Sequence, residues 1–111
     1  MSSIPKIGHS SNTKRAFLLS SATGAALVAA AGAGLKIRVT SLSVVASAAV
    51  SFSLASAATA ISSAKPLAAN GGLVLPLNEF GWYETAANEA LNITLGAALA
   101  VAVDITYVIV T

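Results

Sequence analysis

The sequence predicts an all-β chain: an antiparallel β-sandwich or jelly-roll-like barrel preceded by an extended N-terminal arm. Three observations carry this prediction. Several stretches alternate apolar with polar residues at a period of two, the mark of a half-buried strand. Turn-forming residues break the apolar runs about every 8–12 residues, the spacing of sandwiches and barrels. The chain closes on "ITYVIVT", seven residues rich in β-branched and aromatic types.

Taken in order, residues 1–16, "MSSIPKIGHSSNTKRA", have no periodicity and read as the arm, leaving 17–111 as one sandwich domain. The arm carries Lys6, Lys14 and Arg15, half of the six cations, together with Ile4 and Ile7 around Pro5. Such a segment cannot bury enough surface to order itself, so a partner must supply its order. Ile4 and Ile7 are expected to enter apolar grooves, while Lys14 and Arg15 meet carboxylates such as Glu84 or Glu89 of an adjacent subunit.

The next segment is ambiguous. "KRAFLLSSATGAALVAAAGAGLKIR" puts two basic residues before twenty uncharged ones and two more after. A cleaved secretory signal would explain that pattern, but thirteen residues precede Lys14 and the apolar run is broken by Ser20, Ser21, Thr23 and Gly24. A membrane span would need about twenty strongly apolar residues. Here only Phe17, Leu18, Leu19, Leu27, Val28 and Leu35 are large, and Ala, Gly, Ser and Thr contribute little to insertion. Strand and turn is the better reading. The alanine-rich piece 24–34 favours helix by propensity alone, but its flanking glycines make a strand or loop at least as good, with a turn at 32–34.

Downstream, "LKIRVTSL" places Leu35, Ile37 and Val39 on one face and Lys36, Arg38 and Thr40 on the other. "VSFSL" repeats the period with Val50, Phe52 and Leu54 against Ser51 and Ser53. A short strand, a break at Pro66, a turn at Asn70-Gly71-Gly72 and an apolar strand over 73–77 follow. "ALNITL" then sets Leu91, Ile93 and Leu95 inward and Asn92 and Thr94 outward.

Composition limits function. Only 9% of the 111 residues are charged, against about 25% in an ordinary soluble domain. Hydrophobic residues make up 56%, and 25 residues are alanine. So few charges cannot solvate a whole surface, which points to covering by other subunits and to a homo-oligomer, with a trimer expected. Every cation lies at or before Lys65 and every carboxylate (Glu79, Glu84, Glu89, Asp104) lies after it. A net charge of +2 is too weak for general nucleic-acid binding. The absence of cysteine removes thiol catalysis and thiolate metal sites. His9 is alone, the carboxylates are scattered, and Gly32-Ala33-Gly34 lacks a nucleotide-binding continuation. Asn92-Ile93-Thr94 fits the glycosylation acceptor pattern, which matters only in a secretory pathway. No catalytic residue, metal site or cofactor is expected, and no enzyme.

The richest segment is "LPLNEFGWYETAANEALNITL", with Phe80, Trp82 and Tyr83 within four residues. A turn over 78–81 would either fold Trp82 across one end of the sandwich as a core plug or present the rings to a subunit contact. Glu84 and Glu89 flank "TAAN", expected to be an exposed polar loop.

The run from Gly71 through this segment resembles a group of small virion structural proteins of tailed bacteriophages. The positions that carry the resemblance are Leu75, Pro76, Asn78, Gly81, Trp82, Tyr83, Glu84, Thr85, Glu89, Ala90, Leu91, Asn92 and Tyr107, with "LKIRV" upstream. Asn88 stands where the group's pattern has glycine. The resemblance covers about residues 34–111 and implies a β-sandwich head decoration (cement) protein. Such a protein is made in the host cytoplasm, sits on the capsid surface of the virion, and binds the major capsid protein without nucleic acid or membrane. The contact residues expected on this reading are Ile4, Ile7, Lys14, Arg15, Trp82, Tyr83, Glu84 and Glu89. Two other classes are carried alongside. One is a tail-fibre, tail-tip or adhesin-like module stacking Trp82 and Tyr83 on a host glycan. The other is a small membrane protein built on 16–35.

Overall fold

A computed structural model describes residues 13–111, and all its regular structure is β. The strands are β1 (Lys14–Ser20), β2 (Ala26–Val28), β3 (Lys36–Ala46), β4 (Val50–Ser56), β5 (Thr59–Ala60), β6 (Lys65–Leu67), β7 (Gly72–Leu75), β8 (Tyr83–Glu84), β9 (Leu91–Leu95) and β10 (Val101–Val110). They form two antiparallel sheets. The front sheet runs β1-β10-β3-β7, with β8 also on β3; the back sheet runs β2-β9-β4-β5, with β6 also on β4.

Each of β3 and β4 is flanked at its outer edge by two short strands in succession, so every sheet has four strand positions. The first position pairs with the last (β1 with β10), the second with the seventh (β2 with β9), the third with the sixth (β3 with β7 and β8), and the fourth with the fifth (β4 with β5 and β6). The chain is thus one long antiparallel ribbon, rolled so that β10 also meets β3 and β9 also meets β4. That is the strand order of a jelly roll.

Alternation builds the core as the sequence indicates. The front sheet sends in Ile37, Val39, Leu42, Val44, Ala46, Val101, Val103 and Ile105; the back sheet sends in Leu27, Val50, Phe52, Leu54, Leu67, Leu91, Ile93 and Leu95. The strand-and-turn reading of 14–38 holds. Residues 24–34 contain β2, and a turn closes from the Leu35 amide to the Gly32 carbonyl at 3.0 Å. No helix among the described residues is long and apolar enough to cross a membrane.

Three expectations are corrected. The arm ends before 16, because Lys14, Arg15 and Ala16 are strand residues paired with Tyr107, Thr106 and Ile105. Thr40 does not continue the outward phase of Lys36 and Arg38; it is buried. Ser41 pairs with Thr106 and Val39 with Tyr107, so Thr40 is the extra residue of a β-bulge that resets the phase and lets Leu42 point inward. The bulge is satisfied by hydroxyls, since Thr106 Oγ1 lies 2.8 Å from Thr40 Oγ1 and 2.6 Å from Ser41 Oγ. Thr85, first in the expected exposed "TAAN" loop, is also buried.

Thr85 extends the pairing of β8 with β3 by one step. Its amide donates to the Ile37 carbonyl at 2.9 Å, and its Oγ1 accepts from the Ile37 amide at 3.0 Å. Thr85→Val keeps the shape but strands a buried N–H, at an expected cost of about 1–3 kcal/mol in urea unfolding, while Thr85→Ser costs less. Equal stability of the Val variant and the parent would show that the hydroxyl is dispensable.

Candidate functional site

The segment joining β7 to β8 is held on a fixed backbone. Asn78 donates its amide to the Thr40 carbonyl at 2.8 Å, and Trp82 donates its own to Val39 at 2.7 Å, so both ends are tied to β3. Between them the Gly81 amide closes a turn on the Asn78 carbonyl at 2.9 Å, and the Phe80 amide donates to Asn78 Oδ1 at 3.0 Å. That side-chain bond is the reason asparagine suits the first turn position. Gly81 has φ 86°, and a Cβ there would stand 2.5 Å from Arg38 Cγ, so glycine is required twice over. The turn expected over 78–81 is therefore present, and it carries Phe80 outward at 91% exposure. Leu77 in the same segment is exposed as well.

Trp82 is not a core plug. Its side chain remains 39% exposed, with Nε1 donating to the Pro76 carbonyl at 2.7 Å. The reason is register. Tyr83 lies opposite Val39, which points into the core, so Tyr83 points inward and packs against the core while Trp82 points out. Tyr83, expected as a contact residue, is thus mainly a packing residue. Trp82→Ala is expected to cost under about 1.5 kcal/mol and Tyr83→Ala about 2–3 kcal/mol. Thermal melts showing the opposite order would return the plug to Trp82.

The predicted contact charges are dispersed. Glu84 is held by its own sheet: Arg38 Nε donates to Oε1 at 2.8 Å, and Lys36 Nζ stands 3.9 Å from Oε2. Glu89 accepts from Ser56 Oγ, which itself accepts from the Ala86 amide at 2.9 Å, so this carboxylate fixes the loop before β9. Lys14 and Arg15 sit on β1, at the far edge of the front sheet from β8. Three strand spacings of about 4.8 Å separate those edges, so the basic pair and Glu84 are not brought together within one copy. Ile4 and Ile7, like His9, lie outside the described residues. Asn88 has φ 56°, a left-handed conformation that glycine and asparagine share, which accounts for its standing at a glycine position.

Residues that sequence reasoning passed over stand out on the surface. Phe17, Leu19, Val45 and Val74 are all exposed. Cross-strand register puts all four on the outer face of the front sheet. The back sheet's outer face carries small or polar residues instead: Ser51, Asn92 and Thr94 reach the surface, while Ser53 and Ala55 are buried. The available signal was the second phase of "RAFLLS": Ala16 and Leu18 face in, leaving Phe17 and Leu19 to face out.

No group of three or more His, Cys, Asp or Glu side chains that could hold a metal occurs among the described residues. What the surface offers is shape and apolar area. No protein family, curated protein or solved structure matches the chain.

Proposed function

We propose that this chain is a structural protein of a bacteriophage virion, a capsid decoration protein that attaches to the head shell and stabilises it by binding. One observation carries the reading: the turn over 78–81 holds Phe80 almost fully exposed on a hydrogen-bonded backbone. An aromatic presented in this way costs little ordering entropy on binding and makes an anchor for an apolar pocket in a partner. The partner proposed is the major capsid protein. Jelly rolls serve viral capsids, lectins and cupins alike, so the strand order agrees with the reading without selecting it. A small module repeated over a shell strengthens it through many modest contacts acting together.

A second reading draws on the exposed indole of Trp82, whose edge is pinned to Pro76, as a platform for a host glycan in a tail or fibre module. The two differ in copy number. A quantitative gel of purified particles is expected to show hundreds of copies per virion. A few to a few dozen copies would favour the tail reading, and absence from particles would overturn both.

A further inference from the structure

The outer face of the front sheet is ordered in four rows across the strands, set by register. From one end they are Leu19–Ala102–Val45–Gly72, Phe17–Asp104–Ser43–Val74, Arg15–Thr106–Ser41, and Val108–Arg38–Glu84 beyond the bulge. Phe17 is 82% exposed and Val74 69%. A shallow groove of about 280 Å³ runs across the middle rows, bordered by Arg15, Ser43, Val74 and Asp104. Two opposite charges, Arg15 and Asp104, stand on this face one row and one strand apart. Neither has an ion-pair partner among the described residues.

From this we infer that the outer face of the front sheet is a self-association surface, in which two copies meet about a two-fold axis and each Arg15 approaches the other copy's Asp104. A two-fold contact must be self-complementary, each residue meeting its counterpart's partner in reverse. An axis lying in the interface and running across the strands exchanges the two inner rows and the two outer rows. Arg15 then stands over Phe17 of the second copy, and its Asp104 is offset sideways by one strand spacing, about 4.8 Å, across a gap of about 10 Å between the sheets that the two long side chains share. Both like-charge overlaps are avoided. The row of Leu19, Ala102 and Val45 falls on that of Val108, Arg38 and Glu84, so Ala102 meets Val108 while Val45 stands over an Arg38 whose charge is already matched by Glu84. Four rows at about 6.8 Å and four strands at about 4.8 Å span roughly 500 Å² on each copy. The pair buries about 1,000 Å², the lower bound for a specific interface, so association in the micromolar range is expected. The isologous arrangement makes the unit a dimer, and a trimer expected from composition alone would need a different surface.

This goes beyond the capsid reading, because it concerns the free protein and needs no particle. The test is sedimentation of the full chain across about 1–100 µM, a range that brackets micromolar association. The parent is expected to dimerise, and R15D and D104R each to weaken dimerisation by about tenfold or more. Both sites are exposed, so both variants should melt with the parent. Mixing the two variants one to one places opposite charges at both contacts of the mixed pair and is expected to restore association. A parent that stays monomeric, because a segment of the same chain covers the face or nothing does, would overturn the inference. So would single variants that pair normally, or a mixture that stays apart.

Discussion

Phe52→Ala is expected to destabilise the protein by about 3–5 kcal/mol. Phe52 lies on β4 in the centre of the back sheet, opposite Leu95 on one side and Lys65 on the other, and is among the largest fully buried side chains. Leu95 beside it sits on β9, which is paired on both sides, by β2 and β4, so that side of the core cannot move far into the space the ring leaves. The loss therefore contains the transfer term and most of a cavity term. A domain of this size has about 5–15 kcal/mol in total, so the variant keeps only a fraction of its stability. The melting temperature should fall by about 15 °C or more. A fall of less than about 5 °C would mean that the sheets close over the void and that the core is less fixed than its register implies.

That the largest core side chain is Phe52 was legible in the sequence, and that Trp82 is outside the core was not. "VSFSL" alternates over a run long enough to fix its phase, and the same holds for "ALNITL". β8 is two residues long, and a two-residue strand has no period to read. Its phase comes from β3, through the pairing of Tyr83 with Val39. Tertiary pairing thus decides which of two adjacent aromatics goes in, and a shift of one residue exchanges their roles. The bulge at Thr40 is a similar case. The three-residue step from Val39 to Leu42 was present in "VTSL", but its cause is the hydroxyl cluster formed with Thr106, 66 positions on.

The exposed apolar face of the front sheet was less legible than the core for a related reason. Phe17 and Leu19 share a run with Ala16 and Leu18, so both phases of β1 are apolar and the run looks like a buried strand or a membrane segment. Only its place in a sheet that is covered on one face, against the back sheet, shows that one phase faces out. The predicted contact charges, by contrast, were assigned partners in a neighbouring subunit. Glu84 and Glu89 already have partners, Arg38 and Ser56, within their own copy. Sequence order gave no hint of this, since each pair is more than thirty residues apart.

Phe80→Ala is expected to leave folding untouched and to weaken attachment to the particle by about 30-fold or more, the 2–4 kcal/mol of an anchoring aromatic. The two halves of this expectation come from different facts. With 91% of its surface exposed, the ring contributes almost nothing to the fold, so melting should agree with the parent to within about 0.5 kcal/mol. The backbone that carries it is fixed by Asn78 Oδ1, the Asn78 carbonyl and the two bonds to β3, so its presentation survives the loss of the ring. A second variant, Asn78→Ala, keeps Phe80 but removes the side-chain bond that shapes the turn, and is expected to weaken attachment by a smaller factor. The measurement is occupancy on particles stripped of this protein, with circular dichroism as the control for folding. Loss of attachment in Phe80→Ala with an unchanged melt places the anchor in the interface with the shell. Full attachment of both variants would mean that the loop over 78–81 faces solvent in the virion, and the decoration reading would lose the observation that carries it.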